Sequence, residues 1–198
     1  MARRSDHNRD ELYALALQAA RAIVVRDGYR ALTARNVADA IGYSPGTLYN
    51  LFANLDDMIV HLNASTLDAL YDSLEAMEMT GDVASDLKSL SGRYLDFLGA
   101  NERLWSLLFD YLLPEGQTLP DWYLKKVDKL LGLVEAAMTP LFPDPDDLRR
   151  SEAARVLWAG MHGIFSLAGS GKLAVVSRDP VQQMADNLID TYIRGLEA

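Results

Sequence analysis

Between Gly28 and Met58 three helix starts follow one another, and the middle helix is too short for anything but presentation. Thr33 is an N-cap residue, and Leu32 before it and Val37 four after it form a hydrophobic staple. Val37, Ala38 and Ile41 make the apolar stripe of a helix about two turns long, which Gly42 ends. Ser44 caps the next helix, with Pro45 at its first position, where no backbone donor is lost. Tyr43 and Leu48 staple that cap. Asn54 caps a third helix, with Asp56 and Asp57 in the first turn, where the macrodipole favours acids. Only Ile41-Gly42-Tyr43-Ser44 separates the first two helices, so they meet at a steep angle. This spacing predicts a helix-turn-helix, whose second helix enters the DNA major groove.

The rest of the chain also reads as helix. Asp10 to Asp27 is amphipathic, with Leu12, Leu15, Ala19, Ala22 and Ile23 expected inward and Gly28 as its stop. After the motif, helices are expected from Asn54 to Met79, Val83 to Gly99, Asn101 to the residues before Pro114, and Asp121 to Thr139. Asp144-Pro145 and Asp179-Pro180 give the same start signal for two more, reaching Gly169 and Leu196. The expectation is an all-α chain of about nine helices without a sheet. Its domains would be a helix-turn-helix head over residues 1–53 and a larger helical domain over 54–198. The helix from Asn54, roughly 39 Å long at 1.5 Å per residue, is placed to act as a lever between them.

Charge distribution bears on the partner. The net charge is −9, yet residues 1–50 hold seven arginines against five acids, a balance of +2, leaving −11 in the other 148. An acidic body would stand away from DNA. A surplus of two is small for a head whose affinity comes mostly from neutralising phosphates. The absence of cysteine removes disulfides, thiolate nucleophiles and cysteine metal sites. The polar stretch Met1 to Arg9 lacks the apolar core of a secretory signal, and Val156 to Gly169 is too short to span a bilayer, so a cytoplasmic protein is expected. His7, His61 and His162 fit no metal-ligand spacing, and no nucleophile–base or paired-carboxylate constellation stands out. No metal, cofactor, membrane or catalytic site is expected.

The run Thr-x-x-x-Val-Ala-x-x-Ile-Gly-Tyr-Ser-x-Gly-Thr-Leu-Tyr-x-x-Phe, from Thr33 to Phe52, resembles the DNA-binding signature of the TetR/AcrR transcriptional regulators. With the preceding helix the resemblance covers roughly residues 9–60. It implies a two-domain homodimer whose C-terminal domain holds a small-molecule inducer and controls two heads on a double-stranded operator. Ser44, Pro45, Gly46, Thr47 and Asn50 would face DNA: Gly46 lets backbone approach a base edge, while Thr47 and Asn50 reach base or phosphate. The competing reading makes them ordinary cap and surface residues. Thr33 and Tyr49 match family positions that contact phosphate, and Arg35 could take a phosphate or a base. Leu48 and Phe52 read as core. Two positions depart from the family pattern: Leu51, where His or Tyr is usual, and Leu55, where Lys is usual. Neither leucine can bind phosphate, and Asp56 and Asp57 beside Leu55 repel it, so Arg3 and Arg4 in the N-terminal arm and the backbone amides at the helix starts are expected to carry more of the anchoring.

The C-terminal half is rich in aromatic residues, which on helices are more often core than pocket. Trp158-x-x-x-His162-Gly163 is the sharper element, because Trp158 and His162 share a helix face. It resembles a Trp…His-Gly element of one TetR subgroup, and implies His162 as a polar group in an apolar pocket. A buried histidine bonded to a backbone carbonyl is the alternative. With His162, the expected ligand-binding residues are Phe97, Trp105, Phe109, Trp122, Trp158, Met161 and Phe165, suiting an apolar or aromatic inducer. His61 could face the same cavity or solvent. The last two helices carry apolar stripes (Leu157, Met161, Ile164, Leu167, Ala168; Val181, Met184, Leu188, Ile189, Tyr192). Family resemblance makes these the homodimer interface, and packing within one subunit is the alternative. Two heads would read half-sites about 34 Å apart, or a multiple of it. The functional expectation is a ligand-released repressor; the alternative is a helical ligand-binding protein whose head has lost DNA affinity.

Overall fold

The computed structural model describes residues 7–144 and 146–197, so Arg3, Arg4 and Pro145 lie outside the described residues. Ten α-helices and no strand occur among the described residues. They are α1 (Arg9–Asp27), α2 (Ala34–Ile41), α3 (Pro45–Leu48), α4 (Leu55–Glu75) and α5 (Val83–Ala100). Then come α6 (Glu102–Asp110), α7 (Asp121–Ala137), α8 (Leu148–Gly169), the one-turn α9 (Leu173–Val176) and α10 (Val181–Leu196). Single 3-10 turns sit at Tyr29–Ala31 and Thr139–Leu141. The chain forms two compact units, Met1–Thr66 with Asn101–Tyr123, and Leu67–Ala100 with Leu124–Ala198, so the division falls inside α4. Among the described residues no helix is long and apolar enough to cross a membrane.

In the first unit the capping signals work as atoms. Asn8 and Glu11 form a reciprocal capping box at α1, with both bonds at 2.9 Å. The Asn36 N–H donates to Thr33 Oγ1 at 3.1 Å, and the Asp57 N–H to Asn54 Oδ1 at 2.8 Å, satisfying orphan donors of α2 and α4. Gly42, at φ 75° and ψ 26°, is the left-handed stop that turns the chain from α2 into α3. Beneath them Ala16, Ala20, Val24, Val37, Ala38, Leu48 and Phe52 are buried in one apolar cluster with Met58, Leu62, Leu104 and Leu107. The inner face of α1 differs from expectation: Leu12, Ala16, Ala20, Ile23 and Val24 are buried, Leu15 and Ala19 half-buried, and Ala22 exposed. Alanines stand on both candidate stripes, so hydrophobicity alone could not choose between them.

In the second unit α5, α8 and α10 bury Leu87, Leu90, Tyr94 and Leu98 with Leu157, Met161, Phe165, Ala185, Ile189 and Ile193. Gly160 permits the approach of α8 to α10, since a Cβ there would stand 2.9 Å from Leu188 Cδ2. Lys88 pairs with Asp190 at 2.7 Å, and Arg155 with Asp128 at 3.1 Å. Such exposed pairs contribute about 0–1 kcal/mol each.

Three helix boundaries also differ. α4 stops at Glu75 rather than Met79, and α6 at Asp110, where Tyr111 is already extended. α8 starts at Leu148, capped by Asp147, because Asp144 instead folds back to accept the Asp146 N–H at 3.0 Å. α9 is additional to the expected helices, and its N-cap residue Lys172 makes no side-chain cap bond.

Candidate nucleic-acid interface and effector site

α3 presents its residues outward because Leu48 and Phe52 anchor it inward; both are only 2% exposed. Ser44, Pro45, Gly46, Tyr49 and Asn50 are exposed and Thr47 is half-buried. The Ser44 hydroxyl shares a hydrogen bond with the Thr47 hydroxyl at 3.1 Å and makes no side-chain cap bond to the backbone. Those two hydroxyls therefore form one polar edge on α3. Thr33 is exposed at the start of α2, and Arg35, two residues on, reaches into solvent with only a loose contact to Asp39 at 3.9 Å. These residues share one polypeptide segment and a largely exposed surface, as an interface for a rigid polyanion requires.

Leu51 and Leu55 are half-buried and pack against the apolar cluster, which gives both leucines a structural role. The neighbouring acids are also used within the chain. The Tyr111 hydroxyl donates to Asp56, and the Ala53 N–H donates to Asp57 Oδ2 at 2.9 Å. Burial, then the bond to Asp56, pushes the Tyr111 phenol up to about 12.

Asp57 also belongs to a cluster around His61. His61 Nδ1 shares a 2.8 Å hydrogen bond with the Tyr13 hydroxyl, and its Nε2 lies 3.6 Å from Asp57 Oδ1. Its ring stacks on Trp122 at 4.7 Å and 14°, while Tyr13 stacks on Phe52 at 5.0 Å. Burial lowers the His61 pKa, opposed by the Asp57 charge. Trp105 and Phe109 of α6 form a ring pair at 4.7 Å.

The remaining expected ligand residues lie in the second unit. Trp158 and His162 stack at 5.2 Å with their planes within 9°. His162 Nδ1 shares a 3.0 Å hydrogen bond with the Tyr94 hydroxyl on α5, and the Tyr94 ring packs on Phe165 at 5.4 Å. His162 therefore has a side-chain partner where the sequence alternative placed a backbone carbonyl. Burial lowers its pKa and raises that of Tyr94. Met161 and Phe165 are buried, and Phe97 is half-buried. The structure thus gathers Trp158, His162 and Phe165 around Tyr94, while Trp105, Phe109 and Trp122 belong to the first unit. In the sequence Tyr94 is one of the many aromatic residues of the C-terminal half, with nothing to pair it with His162. The one available signal was its place on the buried face of α5, four residues before Leu98.

On the outer side of α8 and α10 the apolar stripes are divided. Leu157, Met161 and Ile189 are buried within the unit, whereas Ile164, Leu167, Ala168, Val181, Met184, Leu188 and Tyr192 keep partial exposure.

Two family models match the chain. Residues 16–62 match the model for bacterial regulatory proteins of the tetR family, and residues 87–192 match the tetracyclin repressor-like C-terminal domain. No curated protein matches. Among solved structures, a protein of unknown function from Rhodococcus sp. RHA1 is 23% identical over 100% of both chains, with a TM-score of 0.74. A TetR-family transcriptional regulator from Streptomyces coelicolor is 20% identical, covering 96% of this chain and 99% of its own, with a TM-score of 0.65. The TetR-family transcriptional regulator PfmR from Thermus thermophilus is 18% identical, covering 92% and 99%, with a TM-score of 0.59. At these identities the likeness is one of fold.

Proposed function

Because this chain belongs to the TetR family and is a ligand-responsive DNA-binding transcriptional regulator, we propose that it is a repressor released from a palindromic operator by a small apolar or aromatic inducer. The functional division is residues 1–53 for DNA and 54–198 for ligand and dimerisation. The observation that carries the DNA half is the outward edge of α3 on a buried Leu48–Phe52 anchor. Thr33, Arg35, Ser44, Pro45, Gly46, Thr47, Tyr49 and Asn50 form its contact surface, joined by Arg3 and Arg4 of the arm.

The ligand half rests on Trp158, His162 and Phe165 around Tyr94, where a polar pair sits among apolar rings. Ligand binding shifts the population between two states of the α4 lever, and the response is limited by the ligand's differential affinity for them. The homodimer forms through the half-exposed apolar residues of α8 and α10, giving two heads for two half-sites. The protein works in the cytoplasm and carries out no turnover.

An electrophoretic shift with the DNA upstream of its own gene tests the reading. The expected result is a saturable shift that Thr47→Ala and Asn50→Ala weaken and that an aromatic inducer reverses. A wild-type protein that binds this duplex no better than a scrambled one would overturn it. The packing of Leu51 and Leu55 against the core gives both leucines a role that does not require a head without DNA affinity.

A further inference from the structure

Close to the reading helix lies a side chain that the motif does not account for. His7 is exposed and stands immediately before Asn8, the N-cap of α1. Its Nδ1 shares a 3.0 Å hydrogen bond with the hydroxyl of Tyr43, 36 residues away. Tyr43 is the last residue before Ser44 and α3, so this bond ties the entrance of α1 to the edge of the DNA-reading surface. The Asn8–Glu11 capping box fixes the next residue as well, leaving the His7 backbone little freedom.

We propose that His7 is a DNA-contacting residue: Tyr43 positions it, and its protonated ring neutralises one phosphate per subunit. The inference rests on the DNA-binding function and adds a residue and a proton to it. A hydroxyl suits this task because it can donate to a neutral Nδ1 and accept from a protonated one. The tether therefore survives the change of charge, and the choice of protonation state is left to the surroundings. Those surroundings include Asp39 of α2, which lines the same open groove as His7, and Asp10 and Glu11 in the first turn of α1. Glu11 is engaged with the Asn8 N–H, and Asp39 lies 3.9 Å from Arg35. A DNA phosphate adds negative charge from outside, where the exposed ring can meet it. Histidine is the side chain whose ordinary charge change falls between pH 5 and 8, and a phosphate beside an imidazole favours its charged form. With only +2 in residues 1–50, one further cation is a large relative gain.

The test measures affinity for a random-sequence 30-base-pair duplex (phosphate contacts being independent of sequence) against salt at pH 6 and pH 8. Wild-type protein is expected to bind about tenfold more tightly per subunit at pH 6. Its plot of log affinity against log salt should steepen there by about 0.9 per subunit. His7→Gln should be flat between the two values, and His7→Lys should bind at pH 8 as wild type does at pH 6. Tyr43→Phe should reduce the pH-linked gain without removing it. His7→Gln with the wild-type pH dependence overturns the proposal, and so does a His7→Lys variant with no gain at pH 8. Tyr43→Phe with the full wild-type gain overturns the positioning role. Failure of wild type to bind either this duplex or the DNA upstream of its own gene overturns the DNA-binding function together with the proposal, whereas pH-independent binding overturns the proposal alone.

Discussion

Replacing Asp86 by asparagine isolates what a buried carboxylate does for the connection between α4 and α5. Asp86 is only 2% exposed, yet it is placed to remain charged because its oxygens are well supplied with donors. Oδ1 accepts the Thr80 N–H and the Thr80 hydroxyl, both at 2.8 Å, and Oδ2 accepts the Gly81 N–H at 2.9 Å. An asparagine keeps one acceptor for Thr80 and turns an amide N–H₂ toward the Gly81 N–H, so one bond is lost and two lose their charge assistance. Hydrogen bonds to charged groups contribute about 1.5–3 kcal/mol each, but Thr80 and Gly81 are exposed and water can satisfy them afterwards. The expected cost is therefore near the low end, about 2 kcal/mol in all. Urea unfolding followed by circular dichroism, at one protein concentration, should show a lower midpoint with an unchanged slope. The pH dependence gives a second reading. The Thr80 backbone bond, against desolvation, holds the folded Asp86 carboxyl below its ordinary range. Its contribution is thus complete above the unfolded value of about 3.9 and is lost as pH falls through the lower folded value. The gap between wild type and Asp86→Asn should be constant from pH 7 to 5 and close below about pH 4. A variant within about 0.5 kcal/mol of wild type at pH 7, or a gap that widens on acidification, would refute the reasoning.

Gly160→Ala places a methyl 2.9 Å from Leu188 Cδ2, a flexible end, so the expected cost is about 1 kcal/mol. In urea melts, adding Leu188→Ala should cost less than the sum of the two single changes. Gly42→Ala meets no atom within 4 Å but must adopt φ 75°, which should lower stability by about 1 kcal/mol without altering the helical dichroism of the folded protein. Tyr94→Phe removes the hydroxyl shared with His162 and should cost about 1 kcal/mol, measured by the same melts. Burial lowers the His162 pKa, so its contribution is complete above the ordinary value of about 6.5 and declines as pH falls through the folded one. The melting temperature of His162→Gln should accordingly fall less than that of wild type between pH 6.5 and 5.

What the sequence made legible was local. Thr33 and Asn54 could be recognised as caps because the amides they bind lie three residues away, within one turn. The start of α8 was harder, since Asp144 and Asp147 are both competent caps and the choice depends on a turn that Asp144 makes with Asp146. Partners distant in sequence were not readable: Tyr94 and His162 are 68 residues apart, and His7 and Tyr43 are 36 apart. The same limit explains Leu51 and Leu55. By residue type alone they are two missing phosphate ligands beside two repelling acids. With their neighbours in view, the leucines close the edge of the apolar cluster, and Asp56 and Asp57 accept bonds from Tyr111 and Ala53. A lysine at position 55 would exchange apolar contact for a mobile charge beside carboxylates already engaged. Core and phosphate grip thus compete for those positions, and here the core holds them. The anchoring that we assign to Thr33, Arg35, Tyr49 and His7 therefore falls on residues whose side chains the core does not need.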